Sequence, residues 1–547
     1  MKSFILIIIT MLLYNCVFSQ EYGWVSFTDK KNTSFNPVEY FHPTAIERRI
    51  LNGLNLYDST DFPINEEYIK TIEAICGEVL GFSRWFNAVF VNTSSEDLQK
   101  IIRLPFVKSF DNVVFETYQA SVLQLYTNCD KGKLVDEKTS NFECNAQVLQ
   151  DRQTLYSNET YIEEVLANQT RSLEGHLFAD MGITGKGVRI AVFDGGFPNV
   201  NTHEVFEHLR ANNRIVKTWD FVSKKENVYS SQSHGTTVLS CISGIYKEQA
   251  MGLAPDAEFL LARTEKITEP FSEEKNWAMA AEWADKNGAH IINSSLGYTY
   301  HRYFPWDMDG KKSYVTRAAN MAARKGLLVV NAAGNEGYSK WKIIGAPADA
   351  DSVLSVGGID PDTYYKINFS SFGPTADKRL KPNVSAFGKT VAANKKGIDF
   401  AEGTSFASPL VAGFAACVKQ INPHFTNMEL FKEIEKSAHL YPYFDYAHGY
   451  GMPQASYFLN TNNIIEDELF SINIYDNTIK VEINENYISN NNNYLYFHFA
   501  NNDGQLVRYG LIDVYQSDAL VIYDAYKYVN HTFRVLYKGK LIEKIIN

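Results

Sequence analysis

Four residues far apart in the chain have the types that acyl transfer through a serine requires: Asp194 in AVFDGGF, His234 in SHGTTV, Asn335 in NAAGNEG and Ser405 in GTSFASPLVAG. A serine hydroxyl is a weak nucleophile near neutral pH. A histidine must take its proton, and a carboxylate must hold the imidazole in the right tautomer and stabilise its charged form. The order Asp, His, Ser along a chain is one of those in which such a triad occurs. The Asn335 amide and the backbone N–H of Ser405 are suited to donate to an oxygen that becomes charged. Each residue alone also has a plain reading. Asp194, before Gly195 and Gly196, reads as a turn residue. His234 reads as a cap or packing residue of a helix whose apolar face carries Val238, Cys241, Ile242 and Ile245. Ser405 reads as a helix cap, with Pro409 in the first turn after it.

The elements that must position these groups follow from the apolar runs. VRIAVF, the stretch after His234, FLLART, WAMAAEWADKNG, IINSSLG, TRAANMAARKG, LLVVNAAG and VLSVGG alternate strand with helix over 173–458. That pattern predicts an α/β unit, a doubly wound, mostly parallel sheet with helices on both faces. Asp194 then falls at the carboxyl end of a strand, where open α/β sheets place their sites. Ser405 falls at the start of a helix, where the dipole is positive and N–H groups are free.

Before this unit, 20–118 has a small α+β pattern. Its 82–91 segment reads as one strand, Thr93 and Glu96 have capping-box spacing for a short helix stopped by Pro105, and FVKSFDNVVF reads as another strand. The 119–172 stretch is polar without sustained period and reads as a linker or insertion, a natural place for a processing cut. After the unit, 464–547 has short Tyr-, Phe-, Val- and Ile-rich runs split by Asn-Asp-Gly turns, which predicts an all-β sandwich.

The four motifs, in this order and spacing, resemble those of the subtilisin-like serine proteases over 173–455. The resemblance implies Asp194, His234 and Ser405 as the triad and Asn335 as the oxyanion donor. It implies that SSLG, with Ser295, Leu296 and Gly297, is the edge on which an extended substrate is laid as an added strand, with Ala333 and Gly334 across the first specificity pocket. It further implies a secreted endopeptidase acting on proteins or peptides through an acyl-enzyme and made as a zymogen, with 20–118 as a propeptide that assists folding and inhibits until removed. Two departures stand out. The family's HGTH is HGTT here, with Thr236 and Thr237. The loop GIYKEQAMGLAP lacks the asparagine-rich stretch that binds calcium in well-known members, and Lys247 sits inside it. Calcium prefers hard oxygen ligands, so no cofactor is required and no calcium is expected at that loop, calcium elsewhere being left open.

The C-terminal region resembles the sorting domain of type IX secretion but lacks a Pro-Asn-Pro start; a plain stabilising or binding sandwich is the other reading. A catalytically silent surface protein that uses the α/β unit as a scaffold is a rival reading, although it would be expected to have lost at least one of the four positions, and a protease assay with a serine-directed inhibitor separates it; a peptide ligase would use the same triad, and product analysis separates that. The 298–313 loop reads as a cleft wall or as packed surface, and substrate preference stays open.

Composition fits this picture. A hydrophobic content of 45% and a charged content of 21% are globular values, and a net charge of -11 over 547 residues gives nucleic acid no basic footprint. Lys2, the apolar run 4–13 and the small or polar residues near Ser19 read as a signal peptide over 1–19, with a lipid anchor on Cys16 as the alternative. That run is too short to span a bilayer, and no other segment would, so an exported monomer without a transmembrane anchor is expected. Cys129 and Cys144 flank a polar stretch that a disulfide could close, and Cys241 and Cys417 sit in apolar helical patterns.

Overall fold

The computed structural model describes residues 20–112, 158–266, 272–299, 302–395, 397–459, 469–475, 477–488, 494–514 and 519–547. The 1–19 segment with Cys16, the first part of 119–172 with Cys129 and Cys144, and residues 300 and 301 of the 298–313 loop lie outside these. The chain divides into two compact units, one of 1–139 with 268–288 and one of 140–267 with 289–547.

In the first unit, strands β1 (Gln20–Phe27), β2 (Val79–Ser83), β3 (Ala88–Ser94) and β4 (Val107–Asn112) form an antiparallel sheet in the order β2-β3-β1-β4. Helices α1 (Pro43–Leu51), α2 (Glu66–Cys76) and α3 (Ser95–Ile101) belong to the same unit. Val25, Phe27, Ile72, Val89, Val91 and Ile101 make its core. The 82–91 segment is therefore a hairpin and not one strand: Asn87 turns the chain at φ 48. Asn tolerates that left-handed conformation, and the turn lacks the Gly or Pro that would have announced it. The helix cap is also one residue later than the sequence suggests, with Ser94 accepting from the Asp97 N–H.

A helix from far along the chain, Ser272–Lys286, completes this unit. Its Asp285 pairs with both Arg48 and Arg49, and Arg49 also holds Asp61 at 2.7 Å. Both guanidinium groups are buried, and Arg49 stacks on Phe41 at 4.1 Å. Breaking one partner of such a buried group would strand the others, so the pairing locks α1 onto this helix. One turn earlier, the Glu282 carboxylate accepts from Ser83 Oγ at 2.5 Å and from the N–H groups of Arg84 and Trp85. Burial pushes the Glu282 carboxyl up to about 7 against these stabilising donors.

In the second unit, β5 (Arg189–Asp194), β6 (Ile215–Asp220), β9 (Glu258–Arg263), β10 (Ile291–Ser294), β11 (Leu328–Ala332), β12 (Val353–Ile359) and β13 (Val384–Phe387) form one sheet in the order β13-β12-β11-β10-β5-β9-β6. Every pairing in it is parallel. β5 is buried at all six positions, as expected of a strand covered on both faces. Between β6 and β9 the short strands β7 (Ile245–Tyr246) and β8 (Gln249–Ala250) form a hairpin. Helices α4 (Asn158–Arg171), α5 (His234–Ser243), α6 (Tyr314–Arg324), α7 (Thr404–Ile421) and α8 (Asn427–Ser437) accompany the sheet. α7 is buried on every side from Thr404 to Val418, which is why its sequence reads as apolar without a polar face. β14 (Lys389–Ala393) and β15 (Ile398–Glu402) form an antiparallel pair beside it.

α4 corrects the linker reading of 119–172. Val165 and Leu166 are buried in the core of the second unit, Gln169 is fully buried, and Tyr161 donates to Asp362 at 2.7 Å. Only a narrow face of the helix is apolar, so the period is faint in the sequence.

At the C-terminus, β16 (Phe470–Tyr475), β17 (Thr478–Ile483) and β20 (Ala519–Tyr523) form one antiparallel sheet. β18 (Tyr494–Ala500), β19 (Leu506–Asp513), β21 (Thr532–Tyr537) and β22 (Lys540–Ile545) form another, and Leu495, Phe499, Phe533 and Val535 lie in their shared core.

Candidate functional site

Asp194 is the last residue of β5, and Ser294 ends β10, its neighbour in the sheet. β5 pairs with β10 on one side and β9 on the other, so the chain order reverses direction here and leaves a crevice beyond the strand ends. His234 starts α5, and its Nδ1 lies 2.9 Å from Asp194 Oδ2 and 3.0 Å from Oδ1. Gly235 permits this approach: a Cβ there would come within 2.8 Å of the Asp194 Cβ and 2.4 Å of the Gly196 carbonyl oxygen. Asp194 is fully buried, and its Oδ1 also accepts from the Gly195 N–H at 2.7 Å. The His234 side chain is 33% exposed, which leaves its far edge reachable from solvent. Burial lowers the imidazole's proton affinity, but the Asp194 charge and its hydrogen bonds outweigh that and hold His234 above the usual histidine value.

Ser405 is the second residue of α7, and Gly403 is the residue before the helix, so the cap reading of Ser405 does not hold. Its hydroxyl donates to the Ser295 carbonyl at 3.1 Å, and the Ser295 hydroxyl donates to the Ser405 carbonyl at 2.8 Å. Pro409 explains the second bond. Four residues after Ser405 it has no N–H to offer, so the Ser405 carbonyl lacks its helical partner and the Ser295 hydroxyl supplies one. The Phe406 ring lies 5.5 Å from that of His234.

Asn335 is oriented by Thr404. Its Oδ1 accepts from the Thr404 N–H at 2.9 Å and from Thr404 Oγ1 at 3.0 Å, and that hydroxyl in turn accepts from the Gly334 N–H. The amide is thereby fixed with Nδ2 turned the other way. A Cβ on Gly403 would lie 3.5 Å from Asn335 Nδ2 and 3.6 Å from the Ser405 nitrogen, so both donors face the space a side chain at 403 would fill. Its φ of 152° favours glycine as well.

Ser295 is buried, Leu296 half-buried and Gly297 exposed just after β10. Nothing lies within 4 Å of where a Gly297 Cβ would be, and among the described residues its N–H and C=O make no hydrogen bond. Asn331 ties this segment to β11 by donating to the Leu296 carbonyl at 3.0 Å. Ala333 is buried, with its N–H on the Val356 carbonyl at 2.9 Å, and Gly334 is half-buried beside it. Thr404 and the Ser295 hydroxyl are the residues that reading the sequence for reactive groups missed. Pro409 was the available signal, since a proline inside a helix leaves one carbonyl to be satisfied.

The residues described above fall within a stretch of the chain that matches a known family. Residues 185–451 match the subtilase family model, and 22–126 match the peptidase S8 propeptide domain of Bacteroidota. Subtilisin BL of Lederbergia lenta is 30% identical over 260 residues, which cover 47% of this chain and 85% of that protein. The chain belongs to the subtilase family. The match to alkaline elastase YaB of Bacillus sp. (strain YaB) is 31% identical, over 47% of this chain and 61% of that relative. Two further relatives, an alkaline protease of Alkalihalobacillus alcalophilus and M-protease of Shouchella clausii, are covered over 60% of their length. The solved structure of sphericase is 27% identical with a TM-score of 0.42, covering 50% of this chain and 92% of that one.

The HGTT departure has a local reason in this subtilase: Thr237 Oγ1 lies 3.0 Å from the Ala393 carbonyl and Thr236 Oγ1 donates to the Pro198 carbonyl at 2.7 Å, so both hydroxyls pin α5. The loop after α5 turns tightly. It is a hairpin turned by Lys247 and Glu248, both at positive φ, and the Met251 carbonyl that follows accepts from the Gln169 amide at 2.6 Å. Among the described residues no three His, Cys, Asp or Glu side chains gather as a metal site, and no helix is long and apolar enough to cross a membrane.

Proposed function

We propose that the chain is a secreted serine endopeptidase, made as a zymogen, that cleaves peptide bonds through an acyl-enzyme. One observation carries this reading: a buried carboxylate holds Nδ1 of a half-exposed histidine at the carboxyl edge of the sheet, while His234 Nε2 has no hydrogen bond among the described residues. Asp194 orients the imidazole and stabilises its charged form. His234 takes the Ser405 proton, which swings from the Ser295 carbonyl to Nε2 as Oγ attacks the substrate carbonyl carbon. Catalytic hydrogen bonds of this kind tighten when substrate is bound. Asn335 Nδ2 and the Ser405 N–H donate to the oxygen that becomes negative, helped by the positive end of α7. The protonated His234 then gives its proton to the leaving amine, and water repeats the sequence to release the acyl group.

Gly297, with its free backbone groups, and Ser295 and Leu296 bind the substrate as an added strand, with Ala333 and Gly334 across from them. Residues 20–118 act as propeptide and intramolecular inhibitor. The C-terminal sheets act as a stabilising module, supported by a buried seam in which the Tyr443 hydroxyl lies 3.2 Å from the Phe497 carbonyl and Leu440 packs with Tyr496, Leu511 and Leu536. Export through the 1–19 segment and a monomeric state complete the reading.

The test is casein hydrolysis with labelling by a fluorophosphonate. The wild type is expected to hydrolyse and to be labelled at Ser405, and Ser405→Ala to do neither while keeping its fold. Hydrolysis retained by Ser405→Ala would falsify the assignment.

A further inference from the structure

Gln169 is fully buried although it is a primary amide, and its surroundings account for all of that cost. Its Oε1 accepts from the Val391 N–H at 2.8 Å. A backbone N–H can only donate, so this bond fixes which end of the amide is oxygen. Nε2 is therefore the donor to the Met251 carbonyl at 2.6 Å and to the Val391 carbonyl at 3.2 Å. One side chain on α4 thus ties together the chain after the β7–β8 hairpin and the strand β14.

Both tied segments hold the back of the His234 helix. The Met251 N–H donates to the Gly244 carbonyl at 2.8 Å, just past the end of α5. The Ala393 N–H donates to Ser240 Oγ at 2.9 Å, and the Ala393 carbonyl lies 3.0 Å from Thr237 Oγ1. A cation here would need converging oxygens, whereas the atoms turned toward Met251 and Val391 are amide hydrogens. Loss of α4 would strand two carbonyls and one N–H in the core, an expensive set of buried polar groups. The chain after α4 is also fastened, with Gln454 donating to the Ser172 carbonyl at 3.1 Å and the Ser456 N–H to Glu174 at 2.8 Å.

We propose that α4, pinned by Gln169, is a permanent part of the protease and takes the place of a metal ion at the loop behind the His234 helix, so that this helix is held without calcium and the propeptide is cut away upstream of α4. The timing of the cut rests on the zymogen reading; the metal independence does not. The experiment is thermal unfolding of the full chain carrying Ser405→Ala, in EDTA and in calcium, beside the same chain with Gln169→Ala or Gln169→Glu. The parent is expected to melt at the same temperature in both buffers. Each Gln169 variant should melt lower by roughly 5 °C or more, and calcium should not restore Gln169→Ala. A drop of several degrees for the parent in EDTA overturns the proposal, as does a Gln169→Ala chain that melts with the parent. N-terminal sequencing of the wild type completes the test: a chain that begins before residue 158 supports retention of α4, and one that begins after Gln169 overturns it. Unfolding is read without any substrate, so its failure is distinct from a failure of the protease reading.

Discussion

Among the described residues, the second unit contains two carboxylate–imidazole pairs of nearly equal geometry and opposite surroundings. His234 Nδ1 lies 2.9 Å from Asp194 Oδ2, and His448 Nδ1 lies 3.0 Å from Asp445 Oδ2. The difference is on the far nitrogen. His448 is buried, and its Nε2 accepts from the Lys366 N–H at 3.0 Å. Asp445 is saturated too, holding the Tyr443 hydroxyl and the N–H groups of Ala447 and His448. Burial raises the Asp445 carboxyl, but His448 and these donors outweigh it and hold the group below the usual range. An Asp–His pair with every hydrogen-bonding site filled is a brace, here one that joins the turn after α8 to Tyr443 and the C-terminal sheets. The same pair with the second nitrogen left without a partner among the described residues, as in His234, has a site free to take up a proton.

The largest expected effect tests that contrast directly. His234→Ala should lower kcat by roughly 10⁴–10⁶-fold in a peptide assay while leaving the melting temperature nearly unchanged. His448→Ala should do the reverse, with kcat per folded molecule retained. A His234→Ala enzyme within tenfold of wild type would erase the distinction.

The carboxylates come next. Asp194→Asn should cost roughly 10⁴ in kcat through the wrong imidazole tautomer. Asp445→Asn should cost about 3 kcal/mol of stability in urea unfolding, because it leaves a buried network half satisfied, with little change in kcat of the folded fraction. Equal losses of activity in the two variants would make both pairs catalytic.

The pH dependences should also separate. His234 must be neutral to accept a proton, and its affinity is raised, so kcat/KM should rise with pH through an ionisation above about 6.5, the ordinary histidine value. The stability this charged pair contributes is present below about 6.5 and lost as pH rises through the folded-state value. Near the brace the sign reverses. Burial pushes His439 and His498 down to about 4, and each is held neutral, His439 by accepting the Met452 N–H and His498 by accepting from Arg534. The unfolded chain takes up those protons first, so stability should fall as pH drops from about 6.5 toward about 4. Calorimetry across that range with flat stability would contradict the buried neutral histidines.

The smallest effect concerns Ser295. Removing its hydroxyl strands the Ser405 carbonyl, and Ser295→Ala should lower kcat roughly tenfold with KM little changed. An unchanged kcat would mean the helix start holds Ser405 without it.

Candidate site residues were legible because the chemistry restricts their types: only a few side chains can serve as nucleophile, base, orienting carboxylate and oxyanion donor, and Asp194, His234, Ser405 and Asn335 stand in recognisable short contexts. Strands of the parallel sheet were legible as apolar runs because both faces are covered. The β2–β3 turn was hidden because Asn87 adopts a left-handed conformation without a glycine. α4 was hidden because its core face is narrow and its most consequential residue, Gln169, is polar. The Asp445–His448 pair lies at helical spacing in a stretch with no other sign of function, and nothing local distinguishes a brace from a dyad.

By itself the sequence determined which groups are available, in what order, and that the first of them ends a buried strand. It also determined that Pro409 would leave a carbonyl unpaired within its helix. Only the tertiary structure decided which atoms are used. Asp194 and His234 meet across 40 residues because α5 packs against β5 and Gly235 lets the start of that helix close over the strand end. Ser295 finds the freed Ser405 carbonyl across 110 residues. Whether an imidazole reacts or braces depends on what packs against its second nitrogen, which is a property of long-range packing and not of any short segment.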